Sequence, residues 1–281
     1  CIRDRDREKS GDPMFKTVSI ASERNVRSPS DVDNISLYQL GQPLDFDPGS
    51  VYQSSNFGYA LWGRVIEQAS GQSYGDYVKQ EILKPLKMKD TQLGRTRQAL
   101  KLPQEVTYYN LNDQTGKSIF PEDEGKEVTW PYGVWTVEVM DSHGGWVSTA
   151  PDLVRFGLSF SQKRHPILSK QTVQTLFECP DCSNWRTENG DPKDYWYGCG
   201  WLIRPVKDGG ANIWHGGRLA GTSTILVGRH DGFVWAILFN QGVNSKEEAL
   251  SGLIDSAMHR AVDQVRDWPR TDLFSRFSDE N

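Results

Sequence analysis

Two short passages of the sequence place polar side chains where they could bind and orient a small molecule. Ser54 and Asn56 stand directly before an apolar run of helical character, and a hydroxyl with a carboxamide can both donate and accept hydrogen bonds. His215 precedes Gly216 and Gly217 in a β-rich region, where the polar side chain can aim a donor at a substrate and glycine lets the backbone approach closely. Taken alone, the first passage is more typical of a helix cap and the second of a tight turn.

The spacing of the cysteines raises a second kind of chemistry. Cys179 and Cys182 form a C-x-x-C sequence, which is compatible with a redox or metal site. A zinc site would need a second pair of ligands at similar spacing. The histidines are instead scattered singly along the chain, as His143, His165, His215, His230 and His259. The pattern favours a local disulfide or two free thiols in a loop, and we expect neither a metal nor a cofactor.

Length and composition indicate a globular protein. The chain has 281 residues, 37% of them hydrophobic, and can bury a large core as one domain, with or without an insertion. Its 32 basic and 37 acidic residues give a net charge of −5 without a basic tract, which argues against a nucleic-acid partner. No apolar run reaches the roughly 18 residues of a membrane span. The charged N-terminus, which begins at Cys1, lacks the apolar segment of a signal peptide.

The elements that would position these side chains begin with two helices. Apolar residues recur at helical spacing over residues 57–71, and Gly71 ends the helix. A second helix is predicted over residues 74–83 and is closed by Pro85. Residues 98–130 are polar and aperiodic, and we interpret them as connecting loops.

The rest of the chain changes from helical to strand periodicity. Residues 144–156 predict a short extended piece and a helix capped by Thr149, with Asp152 three residues on as in a capping box. Further elements are a helix near 170–177, β-rich runs over 195–205, 213–215, 222–229 and 232–240, and a long amphipathic helix over 246–266. An Asp-Gly turn joins the last two β-rich runs into a hairpin. This order predicts an α+β fold, in which helices flank an antiparallel sheet and the earlier part forms a mainly helical insertion region.

Three passages resemble serine β-lactamases, penicillin-binding proteins and related esterases. Residues 48–59, Pro-Gly-Ser-Val-Tyr-Gln-Ser-Ser-Asn-Phe-Gly-Tyr, are similar to the family's Pro-Gly…Tyr/Ser-x-Asn…Gly-Tyr passage. Residues 144–156 resemble its Gly-Gly-x-x-Ser-Thr-Ala-x-Asp-Leu-x-x-Phe passage, and residues 214–217, Trp-His-Gly-Gly, resemble its His/Lys-Thr/Ser-Gly strand motif. Their order and spacing over about residues 48–242 imply a β-lactamase/transpeptidase-like fold.

The resemblance implies a role for each polar residue of the first and third passages. In the family the first passage presents a hydroxyl and a carboxamide to a cleft between helical and sheet regions, which here implies Ser54 and Asn56 as catalytic residues. The third implies that His215 orients the substrate, and that Gly217 and Arg218 bind it, with the N–H of Arg218 as half of an oxyanion hole. Such donors are worth roughly 3 to 4 kcal/mol each in acyl transfer. The second passage is structural in the family.

The sequence departs from the family pattern in two respects. No serine has lysine three residues on, so the Ser-x-x-Lys nucleophile motif, in which the lysine deprotonates the serine, is absent. Residues 4–15 resemble a part of the family beyond the nucleophile, and the chain is therefore predicted to begin inside the domain. Ser54 stands where members with a His-x-Gly motif usually carry a tyrosine general base, and Tyr52 lies two residues earlier.

We therefore predict a single β-lactamase-related domain over residues 1–281, incomplete at its N-terminus. Residues from about 16 to 140 would be mainly helices and loops, and those from about 141 to 268 a sheet with covering helices. Three functions stay open. The first is acyl transfer by a serine hydrolase that acts on a small ester, amide or peptide, and this chain would be inactive without the nucleophile segment. The second is a non-catalytic homologue that binds a ligand or partner, and the third, less favoured, is a C-x-x-C redox protein. The resemblance suggests a bacterial protein, periplasmic or exported, although no signal peptide is visible; compartment and oligomeric state stay open.

Overall fold

The chain begins with helices and continues into an antiparallel sheet that helices cover. The computed structural model describes residues 11–160, 167–207 and 209–277, so Cys1 and His165 lie outside the described residues. Within these ranges the α-helices are α1 (Thr17–Arg24), α2 (Val32–Leu40), α3 (Asn56–Ser70), α4 (Tyr74–Val78), α5 (Ala150–Leu158), α6 (Lys170–Phe177) and α7 (Leu250–Gln264). The strands are β1 (Gln92–Leu93), β2 (Thr115–Lys117), β3 (Glu127–Thr129), β4 (Trp146–Val147), β5 (Trp196–Tyr197), β6 (Leu202–Pro205), β7 (Ala211–Leu219), β8 (Thr222–Gly228) and β9 (Val234–Phe239). The predicted α+β fold is confirmed.

Helix α3 is the central element of the helical region. The Ser55 hydroxyl accepts a hydrogen bond from the N–H of Gly58 at 2.8 Å and so caps the helix start. At the other end Gly71 has a φ of +71°, a left-handed conformation that glycine adopts without strain. The buried face of α3 joins a core cluster of Met14, Ile20, Ile35, Phe57, Ala60, Val139 and Met140. The predicted helix over 57–71 is confirmed, and its core contacts hold the Asn56 end in place.

The second predicted helix is present in two pieces. α4 continues into a π-helical turn over Lys79–Leu83, which ends two residues before Pro85. Residues 98–130 are mostly loops and single 3₁₀ turns, as predicted, but β2 and β3 form an antiparallel pair inside them, with Thr115 opposite Thr129. The sequence did not indicate this pair because strands of three residues are too short to display an alternation of apolar and polar positions.

The main sheet has five antiparallel strands in the order β5-β6-β7-β8-β9. Side chains of β8 are buried on both faces. Leu226 packs with Ile203 and Ile213 on the side of α5, whereas Ile225 and Val227 pack with Val262 of α7. The predicted hairpin is confirmed as β8–β9, with Gly232 donating its N–H to the carbonyl of Arg229 at 2.9 Å.

β7 is longer than the predicted run over 213–215. It has nine residues, so His215 and the two glycines lie within a strand and not in a tight turn. β6 pairs with β7 only from Ala211 to Trp214, whereas β8 pairs with it from Ile213 to Leu219. Among the described strands, therefore, residues 215–219 of β7 have a neighbour on one side only, and the other side is an open edge.

The passage over residues 144–156 forms a structural connection, with β4, a cap and α5 as predicted. The Thr149 hydroxyl accepts from the N–H of Asp152 at 3.4 Å. The carboxylate of Asp152 does not return to the cap, however, so the second half of the predicted capping box was wrong. It accepts instead from the N–H of Asp90, from the Thr91 hydroxyl and from Arg155, each at 2.9 Å. Asp152 is fully buried, and it ties α5 to the segment that precedes β1.

The last predicted helices differ little from the structure. α6 matches the predicted range, and α7 begins at Leu250, four residues later than predicted. The delay has a local cause, because the side chain of Asn244 accepts from the N–H groups of Lys246 and Glu248 and holds these residues in a turn. Among the helices of the described ranges, none combines the length and the apolar character needed to cross a lipid bilayer.

Candidate active site

The Ser-Ser-Asn passage divides capping and exposure between its two serines. Ser55 is buried and caps α3, whereas the preceding Ser54 is exposed. Asn56 is the first residue of α3, and its Nδ2 donates a hydrogen bond to Oδ2 of Asp12 at 2.5 Å. The cap interpretation therefore applies to Ser55, whereas the carboxamide of Asn56 bonds to Asp12 and the Ser54 side chain is exposed.

Asp12 was not singled out in the sequence, yet it is the partner of Asn56. Its Oδ1 accepts from the N–H of Met14 at 3.0 Å, which caps a 3₁₀ turn, and its Oδ2 contacts Asn56. Burial lowers the pKa of His143, and the negative charges of the nearby Asp12 and Asp141 offset part of this shift. Asn56 thus belongs to a polar cluster with Asp12, Asp141 and His143.

His215 reaches this region through two tyrosines. The Tyr197 hydroxyl lies 3.3 Å from Nε2 of His215 and 3.0 Å from the hydroxyl of Tyr59 in α3. Although His215 is exposed as a whole, desolvation of its imidazole lowers the pKa, and a backbone hydrogen bond with Gly216 acts in the opposite direction. Burial raises the pKa of both tyrosines, so both hydroxyls keep their protons at neutral pH.

Tyr52 brings the segment before Ser54 to the same place. Its ring packs against Tyr197, with 5.5 Å between centroids, and against Trp185 at 4.9 Å. Its N–H donates to Oδ1 of Asn184 at 2.8 Å. The two passages that the sequence singled out therefore meet at Tyr197, which the sequence analysis had not selected.

The backbone after His215 is shaped for close approach. A Cβ atom on Gly217 would lie 2.9 Å from the Oγ1 of Thr224 on β8, so a larger residue would require the side chain of Thr224 to shift. Arg218 lies opposite Ser223 and its side chain is exposed. His215, Gly217 and Arg218 thus share the open-edged part of β7, and the oxyanion role of the Arg218 N–H stays a prediction.

Sequence signals for the missed residues exist but are weak. Tyr197 is followed by Gly198, where a Cβ atom would collide with the backbone carbonyl of Leu176. A Tyr-Gly pair inside a β-rich run is consistent with such a close contact. Tyr59 lies in the Gly-Tyr end of the first passage, one helical turn after Asn56. Neither signal identifies the partner of the hydroxyl, because Tyr59 and Tyr197 are 138 residues apart.

The C-x-x-C sequence lies beside this region as free thiols. Cys179 and Cys182 are both free, and burial raises the pKa of Cys179. A thiol with a raised pKa forms less of the thiolate that redox chemistry needs, which weakens the redox interpretation. In the part of the chain that the structure describes, no three His, Cys, Asp or Glu side chains are grouped so that they could hold a metal ion.

Comparisons with known proteins bear on the family of the chain. A family model described as Beta-lactamase matches residues 23–258. Penicillin-binding protein 4* of Bacillus subtilis is 26% identical over 224 residues, which cover 80% of this chain and 47% of that protein. The chain spans less than half the length of curated relatives such as this one and the N-acetylmuramyl-L-alanine amidase of the same organism, of which it covers 38%.

Solved structures share the fold at low sequence identity. The D-amino acid amidase of Ochrobactrum anthropi SV3, in complex with D-phenylalanine, superimposes with a TM-score of 0.60 at 20% identity, over 83% of this chain and 65% of that one. A penicillin-binding protein of Bacillus halodurans gives a TM-score of 0.59 at 21% identity, over 83% and 63%. Since the family model covers most of the chain, the chain belongs to the beta-lactamase family.

Proposed function

We propose that this chain carries the substrate-orienting part of an acyl-transfer serine hydrolase that acts on a small amide, ester or peptide. The observation that carries the proposal is the meeting of two distant passages at one place. The α3 start, with Ser54 and Asn56, and the open edge of β7, with His215, are joined through Tyr197. Both sides present groups that donate and accept hydrogen bonds, as a cleft for a carbonyl substrate requires.

The open edge of β7 supports binding of an extended acyl group. A strand with an unpaired edge can accept the backbone of a substrate as an additional strand. The N–H of Arg218, after the close-approach residue Gly217, is the proposed oxyanion donor. Loss of one such donor costs about 10²- to 10³-fold in turnover in other acyl-transfer enzymes.

The nucleophile is proposed to lie outside these residues. No serine of the 281 residues is followed by lysine at the required spacing, and the curated relatives are more than twice as long as the part that matches. We therefore assign the nucleophile to sequence upstream of Cys1. Ser54 would relay a proton between the lysine and the leaving group, and Asn56 would hold the lysine while contacting a substrate carbonyl.

Similar proteins support the same class of substrate. The related Bacillus subtilis protein is named as penicillin-binding, and the amidase of similar fold is described in complex with D-phenylalanine. An amide or amino-acid derivative is therefore the first substrate to test. The competing proposal is a non-catalytic homologue that uses the same cleft to bind a ligand.

Covalent labelling separates these proposals. We would incubate the 281-residue chain, and a form extended upstream of Cys1, with penicillin-type and fluorophosphonate probes, and map adducts by peptide mass spectrometry. We expect an adduct on the extended form only. Slow turnover would not decide the matter, because binding and an oxyanion hole alone can leave roughly 10³-fold rate enhancement. A stoichiometric adduct on Ser54 of the short chain would make Ser54 the nucleophile, and an unlabelled extended form would favour the non-catalytic homologue.

Asn56 can be tested in the extended form with a matched control. Asn56→Ala should lower turnover by more than about tenfold with little change in melting temperature, because the carboxamide serves the transition state. Asn110→Ala is the control, since Asn110 is also partly buried and its Nδ2 also makes one hydrogen bond, to the carbonyl of Gln114 at 3.0 Å. If Asn56→Ala lowers stability but leaves turnover per folded molecule unchanged, Asn56 has only a structural role.

A further inference from the structure

The carboxylate of Asp12 divides its two oxygens between a backbone cap and the side chain of Asn56. Its Oδ1 accepts from the N–H of Met14 at 3.0 Å and so caps the 3₁₀ turn over Pro13–Phe15. Its Oδ2 accepts from Nδ2 of Asn56. A cap needs one acceptor oxygen, which Ser, Thr or Asn would also supply. Among these capping residues only Asp adds a second acceptor, and that second oxygen is the one that contacts Asn56.

The backbones on both sides of this contact are fixed by one core. Met14 is fully buried and Phe57, the residue after Asn56, is 3% exposed, and both belong to the same core cluster. Pro13 links Asp12 to Met14 with a fixed φ. Close packing of the buried neighbours leaves little freedom to the backbone at either residue. The carboxylate and the carboxamide therefore meet at a defined place.

The chemistry of the two groups decides which way the carboxamide of Asn56 is turned. An ionised carboxylate is an acceptor only, whereas a carboxamide has a donor end, Nδ2, and an acceptor end, Oδ1. The reversed carboxamide would set Oδ1 against an oxygen of Asp12, and two acceptors that face each other are unfavourable. Among the described residues, Oδ1 of Asn56 has no hydrogen-bond partner, and Asn56 is partly exposed. This oxygen is therefore the open end of the carboxamide.

We propose that Asp12 is a positioning residue, which fixes the carboxamide of Asn56 with Oδ1 as its open acceptor. The effect on turnover rests on the proposed function, whereas the orientation does not. In this orientation Oδ1 can accept from a donor such as an ammonium group, and the second N–H of Nδ2 stays available for a carbonyl. A turned carboxamide would exchange these two ends, and each group that binds there would meet the wrong partner.

Substitutions of Asp12 separate capping from positioning. Asn and Ser are also good caps, so Asp12→Asn and Asp12→Ser should retain the bond to the N–H of Met14. In Asp12→Asn the group that faces Asn56 becomes an NH₂ donor, and we expect the carboxamide to turn so that its Oδ1 accepts from that donor. In Asp12→Ser no second group faces Asn56, and we expect both orientations to be populated.

Nuclear magnetic resonance on the 281-residue chain, labelled with ¹⁵N in its asparagines, reports the orientation. The side-chain resonances of Asn56 are assigned by their loss in Asn56→Ala. In the unmodified protein we expect one Nδ2 proton to resonate downfield, because it is bonded to a carboxylate. This proton should move upfield in Asp12→Asn and in Asp12→Ser, since the carboxylate is gone.

Asp31→Asn is the matched control. Asp31 caps α2 and also contacts an asparagine, but its Oδ1 alone accepts from the N–H and from Nδ2 of Asn34, at 2.8 and 2.9 Å. The carboxamide of Asn34 has a second anchor, because its own Oδ1 accepts from Nε of Arg24 at 3.0 Å. One acceptor oxygen at residue 31 is therefore enough, and Asp31→Asn should leave Asn34 in its orientation, with only a small shift of its side-chain resonances.

Turnover of the extended form gives a second measurement. Asp12→Asn should lower kcat to the level of Asn56→Ala, and Asp12→Ser should lower it less, because part of the molecules keep the productive orientation. Asp12→Asn combined with Asn56→Ala should be no slower than Asn56→Ala alone, since both changes act through one carboxamide.

Two results would overturn the proposal. One is a set of Asn56 resonances that neither substitution of Asp12 changes, and the other is a double variant whose losses in kcat add. If the extended form is inactive, the proposed function fails, and the resonances of the 281-residue chain still decide the orientation. If Asp12→Ser folds poorly, Asp12→Asn alone provides the test, because it keeps the size of the side chain.

Discussion

The clearest prediction concerns Asp152, whose carboxylate is fully buried. It accepts hydrogen bonds on both oxygens, from Arg155 on Oδ1 and from the N–H of Asp90 and the hydroxyl of Thr91 on Oδ2. The side chain of Arg155 is itself only 11% exposed. The substitution Asp152→Asn keeps the shape of the side chain but replaces one acceptor oxygen by an NH₂ donor. Whichever way the amide turns, its NH₂ faces a donor.

The structure sets the size of the expected effect. Removing one partner of a buried ion pair costs about 3 to 5 kcal/mol, because the remaining charge stays buried without compensation. Arg155 retains the carbonyl and the ring of Phe274 as neighbours, at 3.3 Å and 4.8 Å, which lowers the expected loss to the bottom of that range. We expect the free energy of unfolding to fall by about 3 kcal/mol, which corresponds to a melting temperature lower by about 6 to 12 °C in a chain of this size.

Urea unfolding followed by tryptophan fluorescence measures this loss. Asp181→Asn is the matched control, since Asp181 also pairs with an arginine, Arg186 at 3.0 Å, but its side chain is 96% exposed. Asp181→Asn should leave the free energy of unfolding almost unchanged, because an exposed ion pair contributes little. A double-mutant cycle with Arg155→Met should return a coupling energy well above zero. Equal stabilities for Asp152→Asn and the unmodified protein would refute the assignment of this residue as the buried connection between α5 and the segment before β1.

Close packing at Gly198, the pKa values of two histidines and the absence of a grouped metal site among the described residues can each be tested. Gly198→Ala should lower the free energy of unfolding by about 1 to 3 kcal/mol, because the new Cβ collides with the backbone carbonyl of Leu176. Gly252→Ala, in a helix with nothing within 4 Å of the new Cβ, should raise it by about 0.5 to 1 kcal/mol. Equal melting temperatures for the two variants would contradict this prediction. Burial lowers the pKa of His143 and of His215 below 6.5, so below pH 6.5 the unfolded chain binds more protons than the folded chain. The contribution of these two histidines to stability is therefore fully present above pH 6.5, and it should be lost as the pH falls from 6.5 through the pKa values of the folded state. Melting curves between about pH 7 and 5 should reveal this fall, and His143→Gln combined with His215→Gln should flatten it. Chelator treatment should leave the melting temperature unchanged, and a clear loss of stability would refute the assignment of His215 to substrate orientation rather than to metal binding.

Local sequence signals were sufficient for most helices and for the order of the strands. Ser55 and Gly71 mark the two ends of α3, and Thr149 marks the start of α5, because capping depends on groups within a few residues of each other. The same kind of signal also explains an error, since the turn made by Asn244 moved the start of α7 to Leu250. The polar side chain of Asp152 was assigned to the cap because its buried partners, near residues 90 and 91, lie about 60 residues away.

The sequence by itself determined the family resemblance, the fold class and the two passages in which site residues were sought. Only the tertiary structure decided how those passages meet. The contacts that join them run from Tyr59 to Tyr197, 138 residues apart, and from Tyr197 to His215, 18 residues apart. Such contacts depend on where α3 lies relative to β5 and on where the pairing of β6 with β7 ends, and neither is encoded in the periodicity of one segment. The position of Tyr197 between the two passages is therefore defined only when the chain is folded.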